Sequence, residues 1–157
     1  MDRVAVNTVV LEGVMQIKHP FFGFVWYTRR FTLCVDSGFR RYDGDQLRHL
    51  IYVASTTTID KEKDAECNIT FKPPHVPREC QFHIRAGTAA ERDRWFDVLS
   101  ETIAAETQKE RSIEAKFTQP GLSFLEGAAI VRAKMLHDVI HTNASRCCTH
   151  KYSVKQF

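Results

Sequence analysis

Five basic residues in the first third of the chain have the types and spacing of an anion-binding surface. They are Lys18, Arg29, Arg30, Arg40 and Arg41. Ammonium and guanidinium groups bind phosphates through charge-assisted hydrogen bonds, which are stronger than neutral ones. Because neighbouring residues of a strand point to opposite faces, only one of Arg40 and Arg41 can share a face with Arg29. Two readings remain open: a weakly positive binding surface, or solvated charges on strands and loops.

An aromatic loop (residues 19–25, HPFFGFV) lies between the first basic residues. Phe21, Phe22 and Phe24 are its apolar side chains. Exposed aromatic rings beside cations insert into a membrane interface, and each contributes about 1 kcal/mol or more. We expect at least one of the three to be exposed and to contact a membrane, whereas one or two folding back onto the core is the alternative.

Two histidines near the C-terminal end have the spacing of a zinc-binding helix. His137 and His141 are four residues apart in HDVIH, but Asp138 stands where zinc hydrolases need Glu, and no third ligand is evident. A zinc-dependent hydrolase is therefore a distant alternative. The sequence contains no glycine-rich phosphate loop, serine elbow or carboxylate pair, and we predict a protein with no enzymatic activity, catalytic residue, metal or cofactor.

The composition is that of a globular domain. The chain has 157 residues, 43% hydrophobic and 26% charged, which is long enough for one core and an appendage. A net charge of +3 permits an anionic partner without requiring one, and we predict no nucleic-acid binding. The five cysteines, with no secretory or membrane-spanning segment, favour reduced thiols in a cytoplasmic protein.

The elements that must position these residues are mostly strands. Alternating or β-branched runs separated by Gly, Pro and Asp turns predict six or seven antiparallel strands. The runs cover residues 10–18, 25–35, 39–42, 47–59, 67–71 and 80–86. The run 47–59 is read as one β-prone stretch, and the charged residues 60–66 are read as a turn.

One amphipathic helix follows the strands over residues 88–106. Thr88 and Glu91 have the spacing of a capping box, in which each side chain satisfies a backbone N–H at the helix start. Trp95, Leu99 and Ile103 recur at helical spacing and predict an apolar stripe that packs on the core of the β-sheet.

The chain after this helix has a different composition. We predict a polar linker over 107–121, an amphipathic helix over 122–142 and a loose tail over 143–157, with 1–9 as a lead-in. The second helix would bind a partner or the domain itself, whereas pairing with a second copy or lying on a membrane are alternatives. Its proposed contact residues are Phe124, Leu125, Val131, Met135, Leu136 and Val139.

Four segments in a fixed order make residues 10–106 resemble the pleckstrin homology (PH) domain family. They are EGVM at 12–15, WYTRRFTL at 26–33, the hairpin at 36–42 and AAERDRW at 89–95. The resemblance implies a mainly β fold, in which a bent, antiparallel, seven-stranded sandwich or barrel is capped by one C-terminal α-helix. The additional helix over 122–142 would lie outside that fold.

The resemblance also implies where a ligand would bind. Phosphoinositide-binding members carry a basic residue four positions after the opening glycine and a basic pair before the aromatic-Phe of the second strand. Here these positions are Ile17, Tyr27 and Arg29, so one of the three basic residues is present. Lys18 and the arginines on the next strands would compensate in part.

Two functions of different kinds follow from these observations. The first is a non-catalytic interaction module, such as a signalling adaptor, that docks on or scaffolds an unidentified protein partner, including at a membrane. The alternative is peripheral membrane targeting, by weak binding of phosphoinositides or other anionic lipid headgroups through the basic open end.

Overall fold

The computed structural model describes residues 8–72 and 79–117, together with Arg132 and Met135 as single positions. The predicted lead-in, the predicted tail and the predicted helix over 122–142 lie outside this part of the chain, apart from residues 8–9 and those two positions. Of the proposed partner-binding residues only Met135 is described, and it is 64% exposed.

Seven strands and one helix form the described part of the protein. The strands are β1 (Val9–Lys18), β2 (Trp26–Cys34), β3 (Gly38–Asp43), β4 (Gln46–Tyr52), β5 (Thr58–Lys61), β6 (Glu66–Phe71) and β7 (Cys80–Arg85), and helix α1 is Ala89–Phe117. The strands form one antiparallel sheet in the order β4-β3-β2-β1-β7-β6-β5. No described helix has the length and apolar character needed to span a membrane.

The sheet is folded onto itself around a cluster of aromatic rings. Strands β3 and β6 are four positions apart in the sheet, which would be about 19 Å if the sheet were flat. Yet the ring of Phe39 on β3 lies 5.4 Å from that of Phe71 on β6 and 6.2 Å from that of Phe82 on β7. All three side chains are buried, so the two halves of the sheet enclose the core between them.

The predicted strands are confirmed to within a few residues, except for the run 47–59. That run forms two strands, because the chain turns after Tyr52 and re-enters the sheet at Thr58. Thr57 stabilises the turn: its N–H donates to the carbonyl of Ala54 (3.0 Å), and its hydroxyl accepts the N–H of Ala54 (3.0 Å). The β-branched residues of this run therefore predicted a continuous strand, although a threonine side chain stabilises a turn within it.

Helix α1 begins with the predicted cap and packs its tryptophan into the core. The N–H of Glu91 donates to Oγ1 of Thr88 (3.1 Å), while the Glu91 carboxylate accepts the N–H of Gly87 (3.0 Å). Trp95 is 1% exposed and contacts Phe39 edge-on at 6.2 Å. A Cβ at Gly13 would lie 3.0 Å from the indole nitrogen of Trp95, so a larger residue there would press on this buried side chain.

The helix does not end at Glu106 but continues to Phe117, which contradicts the prediction that a linker begins at 107. Polar contacts, rather than an apolar stripe, hold this second half. Glu106 is 4% exposed, and its carboxylate accepts the hydroxyl of Ser37 (2.5 Å) and the ammonium of Lys109 (2.5 Å). The Glu110 carboxylate accepts the hydroxyl of Ser55 (2.5 Å). The sequence analysis did not predict these polar contacts because it used the periodicity of apolar residues.

We predict that Trp95→Ala destabilises the fold by about 3–5 kcal/mol, because it leaves a cavity where the helix meets the folded sheet. Urea unfolding measures the loss, and Arg94→Ala, at the neighbouring exposed position, is the control that should unfold like the wild type. An unchanged unfolding midpoint for Trp95→Ala would contradict the role of this residue in the core.

The hydrogen bond between Ser37 and Glu106 should contribute to the stability of the fold. Ser37→Ala removes a hydrogen bond to a buried carboxylate and should cost about 1.5–3 kcal/mol in the free energy of unfolding. Ser37 has a φ of 62°, so Ser37→Gly loses the same bond but relieves a backbone cost of about 1 kcal/mol. The glycine variant should therefore unfold at a higher urea concentration than the alanine variant. The reverse order would show that the positive φ at position 37 costs less than the extra conformational freedom that glycine gives the unfolded chain.

Candidate anion-binding site

A cavity of about 690 Å³ opens at one end of the folded sheet, beside the aromatic loop. Strands β1, β2 and β3 contribute one side and strands β6 and β7 the other. Its lining residues are Ile17, Lys18, His19, Pro20, Gly23, Tyr27, Arg29, Arg41, Asn68, Gln81, Phe82 and His83. The cavity therefore lies between the two halves of the sheet, at the edge where the core ends.

Three of the five predicted basic residues line this cavity. Arg29 pairs across the strands with buried Met15, and Arg41 pairs with buried Phe31, so both side chains lie on the inner face of the sheet. Lys18 is the last residue of β1 and lies at the rim. Strand alternation thus directs Arg29 and Arg41 to the opening, and Lys18 reaches its rim from the end of β1.

The positive charge of the cavity is partly neutralised. Arg29 forms an ion pair with Asp43 (3.6 Å), donates to the carbonyl of Thr28 (2.8 Å) and stacks on the ring of Tyr27. Lys18 lies 5.6 Å from the ring of Trp26, and among described residues it has no acidic partner within 4 Å. The opening therefore keeps a modest net positive charge.

Arg30 and Arg40 lie away from the cavity. Arg30 points to the outer face of the sheet, where it contacts Glu12 (3.4 Å) and stacks on Tyr42. Arg40 is buried, donates to the thiol of Cys34 and pairs with Asp36 (3.2 Å). Each is the neighbour of a cavity residue, so the alternation that selects Arg29 and Arg41 excludes them.

All three phenylalanines of the aromatic loop are exposed. Phe21 is 76%, Phe22 is 55% and Phe24 is 83% exposed, which agrees with the prediction that at least one of the three is exposed. Their rings neighbour His19 or one another rather than the core.

A coupled set of charges stands on the β6–β7 side of the opening. The Glu66 carboxylate accepts hydrogen bonds from Arg85 (2.8 Å) and shares a 2.6 Å contact with Nε2 of His83. Burial raises the pKa of this carboxyl, but the bonds from Arg85 and His83 outweigh it and hold the pKa below its ordinary value. Glu66 is therefore ionised wherever the domain is folded near neutral pH.

The two motif positions that lack a basic residue are both in the cavity wall. Ile17 is 7% exposed and pairs directly with Tyr27, which is 41% exposed. An apolar side chain and a phenol thus occupy places from which cations would otherwise reach a phosphate. This arrangement favours weak attraction of anions over a tight, multidentate grip.

Sequence reasoning missed the β6–β7 side of the cavity. Asn68, Gln81 and His83 line it, and no sequence motif marks them. They meet the basic residues only because β7 pairs with β1, for example through Ile17 and Ile84. No local pattern encodes that pairing. Within the described residues, no group of three or more His, Cys, Asp or Glu side chains is arranged to hold a metal ion.

The fold is that of PH domains. The PH domain of human oxysterol-binding protein-related protein 11 has a TM-score of 0.53 at 14% identity, over 79% of this chain and 97% of that one. The C-terminal PH domain of pleckstrin in complex with D-myo-Ins(1,2,3,5,6)P5 has a TM-score of 0.50 at 16% identity, over 62% and 97% of the two chains. The PH domain of the human KIAA0053 protein has a TM-score of 0.51 at 12% identity, over 66% and 95%.

No protein-family model and no curated protein sequence matches the chain. The structural likeness nevertheless confirms the resemblance drawn from the four sequence segments: the chain folds as a pleckstrin homology domain.

The Glu66 contacts predict how stability depends on pH. Because the folded-state pKa of Glu66 lies below its ordinary value of 4.5, its contribution is fully present above pH 4.5 and is lost as the pH falls through the folded-state pKa. Glu66→Gln should therefore be less stable than the wild type at pH 7, with the difference shrinking in acid. Urea unfolding at a series of pH values tests this, and a constant difference down to pH 3 would exclude the ion pair as its cause.

Proposed function

We propose that this protein is a non-catalytic module that attaches weakly and peripherally to anionic lipid surfaces, with the open end of its PH fold facing the membrane. The observation that carries the proposal is the position of three exposed phenylalanines beside the cations of the cavity. Phe21, Phe22 and Phe24 project from the loop that joins Lys18 to the strand carrying Arg29. Apolar and cationic groups on one rim suit a membrane interface, whose headgroups are anionic and whose interior is apolar.

Each kind of contact alone would be weak. A basic residue near an anionic surface contributes about 1 kcal/mol, and a phenylalanine that enters the interface contributes a similar amount. Ile17 and Tyr27 remove two strong phosphate contacts, so affinity would come from the surface density of charge and from ring insertion. We therefore expect binding that rises with anionic lipid content and depends little on headgroup stereochemistry.

A similar structure supports a phosphate-bearing ligand without identifying which one. A similar structure, the C-terminal PH domain of pleckstrin, is in complex with an inositol phosphate. Lys18, Arg29 and Arg41 are the residues that would meet phosphate groups in this chain, because they line the cavity. The proposed location is cytoplasmic, at the periphery of a membrane.

Protein docking is the second candidate function, and a different surface favours it. Val14, Arg30, Tyr42 and Leu47 are consecutive cross-strand partners on the outer face of β1 to β4. Val14 is 58% and Leu47 is 47% exposed, so this row presents apolar contacts around the stacked Arg30 and Tyr42. Such a row suits a protein partner better than a lipid surface, because Arg30 is already paired with acids.

Adjacent residues on β2 provide a matched test of the lipid proposal. Arg29→Gln removes a cation from the cavity, whereas Arg30→Gln removes one from the outer face at the next position. We expect Arg29→Gln to weaken partitioning onto phosphatidylserine-containing vesicles by about fivefold, and Arg30→Gln to have less than half that effect. Vesicle co-sedimentation over a series of salt concentrations measures both, and the wild-type affinity should fall as salt rises.

The apolar contribution has its own matched pair. Phe24→Ser should weaken vesicle binding by about fivefold, whereas Leu47→Ser, an exposed apolar residue of the outer face, should leave it unchanged. If the wild type binds no anionic vesicle at low salt, the lipid proposal fails and the docking candidate replaces it. Equal losses in Arg29→Gln and Arg30→Gln would show attraction by net charge without a defined site.

A further inference from the structure

His19 fixes the conformation of the aromatic loop through one ring nitrogen. Its Nδ1 accepts the backbone N–H of Phe21 (3.1 Å) and the backbone N–H of Phe22 (3.0 Å). The loop is closed by two further bonds, from the N–H of His19 to the carbonyl of Val25 (2.9 Å) and from the N–H of Val25 to the carbonyl of Phe22 (2.9 Å). Half of these loop bonds therefore end on the imidazole.

This acceptor role requires a neutral imidazole. Nδ1 can accept only while it keeps its lone pair, so the ring hydrogen must be on Nε2. Protonation places an N–H on Nδ1, facing two other N–H donors, and both bonds are lost. Histidine is the side chain that ordinarily changes charge between about pH 5 and 8.

The imidazole also contacts the phenylalanine rings of the loop. Its centroid lies 5.0 Å from the ring of Phe22, 6.0 Å from that of Phe21 and 5.7 Å from that of Tyr27. Loss of the Nδ1 bonds therefore frees the backbone of Phe21 and Phe22, and with it their two rings. Phe24 is linked to this group through its contact with Phe22, at 6.2 Å.

The charges that face His19 come from four strands. Lys18 of β1, Arg29 of β2 and Arg41 of β3 are cations of the same cavity. His83 of β7 is bonded to Glu66, Asp43 pairs with Arg29, and the ring of Tyr27 lies beside the imidazole. An imidazolium would be opposed by these cations when the cavity holds no anion. A bound anionic headgroup reverses the balance, since it interacts favourably with every cation around it.

We propose that His19 is a positioning residue that makes the aromatic loop responsive to protons, with neutral His19 fixing the loop and protonated His19 releasing it. The effect on membrane binding rests on the proposed function. The imidazolium adds a cation to the open end, and the freed phenylalanines can insert more deeply into the membrane interface. Binding to an anionic membrane and protonation of His19 then favour each other. This loop would attach more strongly in mildly acidic surroundings.

His19→Asn separates the acceptor from the charge. The Oδ1 of asparagine can accept the same two backbone N–H groups but does not titrate. In NMR spectra of the full-length protein without lipid, the amide signals of Phe21 and Phe22 should move together as the pH falls from 8 to 5. They should stay in place in His19→Asn. His83→Gln, which removes the other imidazole of the cavity, should keep the wild-type response.

Vesicle binding provides the second measurement. With phosphatidylserine-containing vesicles, the wild type should bind about fivefold more tightly at pH 5.5 than at pH 7.5, and His19→Asn less than twofold. Amide signals that do not change with pH, or that change equally in His19→Asn, would overturn the inference. A loop that titrates in a protein that binds no vesicle would overturn the proposed function while supporting the role of His19.

Discussion

The contact between Phe39 and the rings of Phe71 and Phe82 is the interaction on which the rest of the structure depends. It joins strands that are far apart in the sheet, so it can form only when the sheet folds over. Folding creates one edge that must be covered and another that is left open. Trp95 covers the first by packing on Phe39. The second becomes the cavity, so the core and the candidate site have the same origin.

Strand alternation then decides which charges belong to that cavity. Arg29 and Arg30 are adjacent, as are Arg40 and Arg41, and one member of each pair faces inward at the open end. The other members perform different tasks: Arg30 stacks on Tyr42, and Arg40 is buried with Asp36. Counting all four arginines would overstate their number in the cavity twofold, because a pleated strand divides its side chains between two faces.

The sequence predicted the parts of this structure that local patterns encode. The strands alternate, Thr88 and Glu91 cap the helix as their spacing indicates, and Trp95 and Leu99 are buried as the stripe predicts. The second half of α1 was missed because it is held by buried polar bonds, such as that between Glu106 and Ser37. Such bonds join residues distant in sequence and leave no periodic signal. The β6–β7 wall of the cavity was missed for the same reason, since it depends on sheet order.

The open end differs from the core in how its order is maintained. Core side chains are fixed by many dispersion contacts, so the loss of one leaves most of the packing in place. The aromatic loop is exposed and short, and a single imidazole nitrogen supplies two of its bonds. Because half of the loop's bonds depend on this one atom, a single proton can change the order of the loop. A loop of this kind can therefore change its conformation while the core of the folded sheet that carries it stays packed.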